Sequence, residues 1–390
     1  MTKQFSTLLD MSRWMAALLV VISHDRHIVL SDFGTLHHPN IGIQMLYFVT
    51  GFGHEAVVIF FVISGFLVGG LTLQKWRTTG VALSDYFAHR ISRIYTVLCP
   101  ALLTGFALDS IGSRCCNASA IYTDAAQLAA NSLNSHISSD LTVTAFIGNL
   151  LMLESTYVPI LGSNGPIWSL AYEWWYYCIF AACAGAVFRK GTRTMALCIA
   201  SLAVMLAFAP LHMLLWMAIW LLGVAAFFYC ESRSPKPNVL LSCGLFAGAL
   251  VLSRLNTHNV SQPAAPEPMA VSFAYDFAIG LSYALLLSSF YRYQGHGLPF
   301  KRLHKTLAAF SYSMYLAHFP MLVIVVAALH DVYGVPLLGQ PDGTHLATLL
   351  AVAVALYAYG FLFSRATERH TTRVYALLTR WLGSNESCRH

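Results

Sequence analysis

The chain predicts an all-α, polytopic membrane helix bundle of about ten transmembrane helices, and three observations carry that prediction. Of its 390 residues, 57% are hydrophobic and only 10% charged, whereas an average soluble domain carries about 25% charged residues. The low-charge stretches recur along the whole length instead of forming one anchor, each near the roughly 20 residues that cross a bilayer core. Lysine and arginine concentrate in alternate connecting segments, the bias that orients membrane proteins.

In order, the spans fall near 11–31, 51–73, 92–110, 167–188, 195–210, 211–230, 239–255, 269–290, 307–329 and 344–364. The first has no small-residue cleavage site and runs straight into further spans, so it reads as retained. The fifth and sixth are parted only by Ala209, Pro210 and Leu211, and Pro210 breaks the helical ladder, which predicts a tight hairpin. Segment 143–155 (VTAFIGNLLMLES) is too short to span easily and reads as interfacial or re-entrant. Residues 1–370 form the transmembrane domain and 371–390 a cytoplasmic tail, whose stretch Thr371–Leu382 is amphipathic and expected on the inner membrane surface.

With the amino terminus inside, the inner segments hold all but four of the 23 lysines and arginines, the exceptions being Arg13, Arg26, Arg114 and Arg254. An even number of spans leaves both termini cytoplasmic. The net charge of +6 reflects this bias and implies no nucleic-acid partner. The nine cysteines form no disulfide framework. Cys178, Cys183, Cys198, Cys230 and Cys243 sit in or at the ends of apolar segments, where a thiol behaves as a small hydrophobe. Cys115 and Cys116 adjoin in an outer loop open to oxidation, and no His/Cys spacing resembles a zinc cage, so no metal is expected. Triplets at Asn117 and Asn259 fit the glycosylation pattern but arise readily by chance.

Ionisable residues stand out on this apolar background, because each costs at least ~2.5 kcal/mol inside a membrane helix unless it faces protein or water. Arg13 and His24 lie on the first helix, on one face and about 16 Å apart along the axis, with Asp25, Arg26 and His27 following. Snorkelling of both to the interfaces is the blander reading. Gly51, Gly53, Gly65, Gly69 and Gly70 surround the run FFVISGF, which contains Ser64, and small residues at such spacing serve close helix packing. His54 and Glu55, at the predicted outer end of that span, suit a solvated helix start or an acceptor site equally. Arg90 and Arg93 share a helix face. Their guanidinium forks match phosphate oxygens, or else simply anchor the helix. The fourth span opens GPIWSLAYEWWYY, with Trp168 and Ser169 in its first turn and Glu173 about two turns in. That carboxylate needs a partner, with Arg13, Arg26 or a proton as the candidates. Tyr315 and His318 share a face of the ninth span, as core groups or as a site.

In this order the blocks resemble the acyltransferase-3 family of integral membrane acyltransferases. The resemblance rests on Arg13 and His24 with ten residues between them, FFVISGF at 60–66, RISRIY at 90–95, GPIWSL at 165–170 with Glu173, and YSMYLAH at 312–318. It covers about residues 8 to 365. The first helix reads LDMSR where such proteins usually carry a glycine-containing turn, and Tyr172-Glu173-Trp174 lacks a second acidic or glutamine neighbour, which marks a divergent branch.

The resemblance implies transfer of an acyl group, usually acetyl, from cytoplasmic acyl-coenzyme A to a hydroxyl of a glycan or its lipid-linked precursor in a bacterial inner membrane. It implies acyl-coenzyme A, a sugar acceptor and membrane lipid as partners. His24 is then the general base, with Asp25 or Glu173 orienting it and Arg13 steadying donor charge or the oxyanion. Arg90 and Arg93 hold the coenzyme phosphates, and Ser64, Trp168, Ser169, Tyr315 and His318 face substrate. The acceptor is left open among exopolysaccharide, O-antigen, capsule, lipid and small glycoside. The competing reading is a proton-coupled transporter or a glycan or lipid flippase that uses Arg13, His24 and Glu173 as a buried relay. No repeated half and no matched pair of broken helices support it, and coenzyme A binding separates the two.

Overall fold

The computed structural model describes residues 2–80, 82–116, 118–123, 133–134, 136–154, 156–188, 191–259, 268–293 and 298–381. Asn117, Arg189, Lys190, Leu382, Arg389 and the side chain of Asn259 lie outside the described residues. Among the described residues, fifteen α-helices follow one another and there is no strand. They are α1 (Lys3–Val29), α2 (Ile41–Val49), α3 (Gly53–Ser64), α4 (Leu71–Thr79), α5 (Leu83–Cys115), α6 (Val143–Leu150), α7 (Trp168–Phe188) and α8 (Thr192–Phe208). Then come α9 (Leu211–Glu231), α10 (Val239–Asn259), α11 (Met269–Phe290), α12 (Lys301–Ala308), α13 (Ser311–Tyr333), α14 (Gly343–Ala366) and α15 (Thr371–Trp381).

Each of the ten expected spans falls on helix. Eight described helical stretches are long and apolar enough to cross a membrane, so the chain is an all-α, multi-pass membrane bundle. The other two expected spans are α7, which carries Glu173, and α8, which is apolar but only 17 residues long. The helices overrun the apolar windows where polar residues extend them. α1 starts at Lys3 and α5 at Leu83, so Arg13 sits mid-helix and Arg90 and Arg93 sit two to three turns inside α5. Pro210 ends the turn between α8 and α9 as expected, with Ala209 and Pro210 both extended. The described part of segment 143–155 is the short helix α6 and a loop, capped by the Thr142 hydroxyl and tied down where Asn149 accepts from the Leu161 N–H at 3.1 Å.

The chain divides into two compact units. The first comprises Met1–Leu19, Gly51–Val81 and Tyr172–Ala308. Its centre is the packing of α3, and of the π-helical turn Gly65–Gly70 that follows, against α9. A Cβ on Gly65 would strike the Trp220 carbonyl, and one on Gly223 would strike the Val62 carbonyl. The two backbones therefore touch only because both positions lack a side chain, the role expected of this glycine run. Phe66 then packs on Phe5 and Phe227, with ring centroids 5.3 Å apart in each pair.

The second unit comprises Val20–Thr50, Ala82–Ala171 and Ala309–His390. Here α13 packs between α5 and α14. Gly105 faces Pro320, and Gly360 faces Met314. The end of α1 pairs with the loop before α14, Ser31 N–H donating to Gly339 at 2.9 Å and Gly339 N–H to Val29 at 3.1 Å. α15 packs on α5, where the Tyr375 hydroxyl donates to Asp85 at 2.7 Å and the ring stacks on His89. The eight described cysteines, Cys115 and Cys116 included, are free thiols.

Candidate functional site

In the second unit, a proline shapes the local structure around α13. Pro320 has no N–H to donate, so the Leu316 carbonyl four residues earlier loses its helical partner. Asn164 fills the gap, donating from Nδ2 to that carbonyl at 3.1 Å. The turn that follows Asn164 is held to the same helix by hydroxyls. Tyr315 donates to the Pro166 carbonyl at 2.9 Å, and Ser169 Oγ lies 2.7 Å from the Tyr315 oxygen. Since Tyr315 spends its proton on Pro166, Ser169 is the donor of that pair. Both residues are buried. They clasp the start of α7 to α13, whereas the sequence reading had them facing substrate.

One turn on, His318 is fully buried and bonded at both nitrogens. Nδ1 lies 2.9 Å from the Tyr315 carbonyl and 3.1 Å from that of Met314, and Nε2 lies 2.9 Å from His24 Nδ1. Carbonyls only accept, so His318 Nδ1 carries the hydrogen, and in the neutral ring Nε2 is the acceptor. His24 Nδ1 must then be the donor, and His24 Nε2 holds the unshared pair. The two rings are parallel within 5°, and Phe319 meets His24 edge-on at 5.0 Å. A half-buried imidazole with a fixed tautomer and one unprotonated nitrogen is the equipment of a general base.

Asp25, expected to orient His24, is placed otherwise. Asp25 is fully buried, but neither carboxylate oxygen accepts a hydrogen bond among the described residues. It does not orient the imidazole, because the next residue along a helix points about 100° away; His318 does so. Arg26, also buried, donates toward His27 at 2.7 Å and covers the Tyr47 ring at 4.8 Å.

Elsewhere in this unit, Arg93 meets Glu368 at 3.1 Å and covers the Tyr312 ring at 5.0 Å. Glu368 also accepts from the Ser313 hydroxyl at 2.9 Å. Arg90 lies over Tyr86. Arg93 therefore has a resident carboxylate, which sequence reasoning missed because 275 residues separate the pair. In the loop after α6, Glu154 is buried, neither oxygen is bonded among the described residues, and burial pushes its carboxyl up to about 8.

The first unit holds Arg13, Ser64 and Glu173. Glu173 accepts from the Tyr177 hydroxyl at 2.5 Å and makes no ion pair among the described residues. Tyr177 in turn meets Ser64 at 3.0 Å, and Ser64 accepts from the Trp220 indole at 3.1 Å. Ser64 is thus part of a buried chain linking α3, α7 and α9, assembled where Gly65 lets the helices touch. Trp168, half-buried, opens α7 in the second unit.

Asn164 is a second residue that sequence reasoning missed. Its signal was present: a proline inside a span frees one carbonyl, and an amide must be found for it.

An uncharacterised protein of Haemophilus influenzae is 35% identical over 136 residues, which is 34% of this chain and 49% of that protein. The chain thus spans about half the length of the curated relative it matches. No solved structure matches. A family model described as an acyltransferase domain matches residues 7–377, nearly the whole chain. With that match laid over the membrane helices, the chain belongs to the acyltransferase-3 family.

Proposed function

We infer that the protein transfers an acyl group, most simply acetyl, from cytoplasmic acyl-coenzyme A to a hydroxyl of a cell-surface glycan or its lipid-linked precursor, in a bacterial cytoplasmic membrane with both termini inside. The observation that carries this reading is the His24–His318 pair. His24 Nε2 takes the proton of the acceptor hydroxyl as its oxygen attacks the thioester carbon. The ring becomes cationic, and its Nδ1–H bond to His318 strengthens because a charged donor binds its acceptor more tightly. The thiolate of coenzyme A leaves when the tetrahedral intermediate collapses, and the proton on His24 passes to it. Arg90 and Arg93 take the coenzyme phosphates, Arg93 sharing its charge with Glu368. Arg13 and Glu173 are assigned to the acyl-transfer chemistry on the family resemblance alone.

The test uses radiolabelled acetyl-coenzyme A, membranes holding the protein and the host's surface glycans, with the parent and His24→Ala at matched expression. Label reaching glycan in the parent and lost in the variant supports the reading. Equal transfer by both removes His24 as the base. A parent that neither transfers label nor binds coenzyme A fails the acyltransferase assignment.

A further inference from the structure

Within the second unit, the stretch after α14 lies along α5. Asp85, His89 and Arg93 stand at i, i+4 and i+8, so they line one stripe of α5, with Arg90 beside them. α15 and the 3₁₀ turn Glu368–His370 before it both pack on that helix. At one end of the stripe the Tyr375 hydroxyl donates to Asp85 at 2.7 Å, and its ring stacks on His89 with centroids 3.9 Å apart. At the other end Arg93 Nη2 meets Glu368 Oε1 at 3.1 Å.

The second oxygen of Glu368 is met from α13. Oε2 accepts from the Ser313 hydroxyl at 2.9 Å and from the Ser313 N–H at 3.3 Å. That N–H lies in the first turn of α13, where backbone donors lack helical partners and the helix dipole favours an anion. A guanidinium, a hydroxyl and an N–H at a helix start together make a seat for an oxyanion. Here a carboxylate of the same chain fills it. The Glu368 side chain is 8% exposed and that of Arg93 is 38% exposed, so the cation stays reachable while its resident partner is tucked away.

The filling group sits on a segment built to come off. α14 ends at Ala366, and Thr367 leaves helical values with φ −123° and ψ −79°, which places a joint at the base of α15. None of the eleven residues of α15 is buried. A segment that buries so little opens at low cost in free energy.

We propose that residues 368–381 form an autoinhibitory strap: the Glu368 carboxylate fills the oxyanion seat made by Arg93 and Ser313, and a phosphate group of the acyl donor takes that seat when the strap lifts. This role rests on the assignment of Arg90 and Arg93 to the coenzyme phosphates. With the strap down, Arg93 shares its charge with Glu368; with the strap lifted, the whole charge faces the donor. Strap and donor compete for one seat, so each weakens the other by the same factor.

The experiment is equilibrium titration of the full chain in detergent with coenzyme A, with hydrogen exchange of Thr371–Trp381 followed on the same samples. Glu368→Gln takes the resident anion out of the seat. Tyr375→Ala loosens the strap at its far end and leaves Arg93, Glu368 and the net charge untouched. Each variant should bind coenzyme A about two- to fivefold more tightly, the effect of losing one partly exposed ion pair or hydrogen bond. Saturating coenzyme A should speed exchange in α15 of the parent. If Tyr375→Ala does not fold, Tyr375→Phe carries that arm, since it removes only the bond to Asp85. Unchanged affinity in the Tyr375 variant, or exchange in α15 that coenzyme A does not alter, overturns the strap and leaves the acyltransferase reading standing. Coenzyme A bound by neither the parent nor the variants removes that reading, and the strap falls with it.

Discussion

Replacing His318 by alanine separates the base from what orients it. In the parent, His24 Nδ1–H donates to His318 Nε2 at 2.9 Å. Without it, the imidazole is free to take the other tautomer, and the cation formed on proton transfer loses a charge-assisted bond. A hydrogen bond to a charged group contributes roughly 1.5–3 kcal/mol. At 1.36 kcal/mol per decade of rate, that loss predicts a fall in kcat of about 10- to 150-fold. The assay is acetyl transfer in membranes at matched expression, with coenzyme A binding measured separately and expected to hold. His318 is fully buried, so part of any loss in the alanine variant reflects a cavity. His318→Gln controls for this, since its amide oxygen offers His24 an acceptor and should recover part of the rate. Asp25→Asn is the counterpart: with no hydrogen-bond partner on either oxygen among the described residues, it should stay within about threefold of the parent. Full activity in His318→Ala, or an equal collapse in Asp25→Asn, would refute the reasoning.

Three further predictions follow from the same contacts. Glu368→Gln removes the carboxylate that competes for Arg93, whose side chain is 38% exposed. A partly exposed pair is worth up to about 1 kcal/mol, so coenzyme A should bind as much as about fivefold more tightly by equilibrium titration. Gly65→Ala drives a methyl into the Trp220 carbonyl; overpacking of this kind costs about 1–3 kcal/mol, read as a lower Tm in detergent, and an unchanged Tm would mean that the helices do not touch there. Glu154→Gln tests the buried acid after α6. Burial holds its carboxyl at about 8, well above the usual carboxylate range. The folded state therefore binds more protons than the unfolded one across that window, and stability falls as pH rises through it. The variant should gain little in Tm at the acid end and progressively more towards the upper end, whereas a gain independent of pH would contradict the assignment.

The architecture was legible in the sequence because a bilayer imposes a simple code. A span must be helical and apolar for its full length, so each of the ten expected spans lies on helix, and Pro210 marks a break that no tertiary contact could move. The glycine run before and after Ser64 was also readable, since only residues without a side chain let two backbones meet. Helix ends were less so: α1 and α5 overrun their apolar windows because polar residues continue a helix as readily as apolar ones.

The partners of the chemical groups were a different matter. His24 and His318 are each visible as a histidine in an apolar helix, but 294 positions separate them. Nothing local distinguishes His318 from the adjacent Asp25 as the group that orients the base. The same holds for Glu368 on Arg93. Hydrogen bonds act over about 3 Å and depend on which helix faces are brought together. Composition and periodicity determine that a helix exists and which residues it carries, while packing alone decides what each of its polar atoms meets.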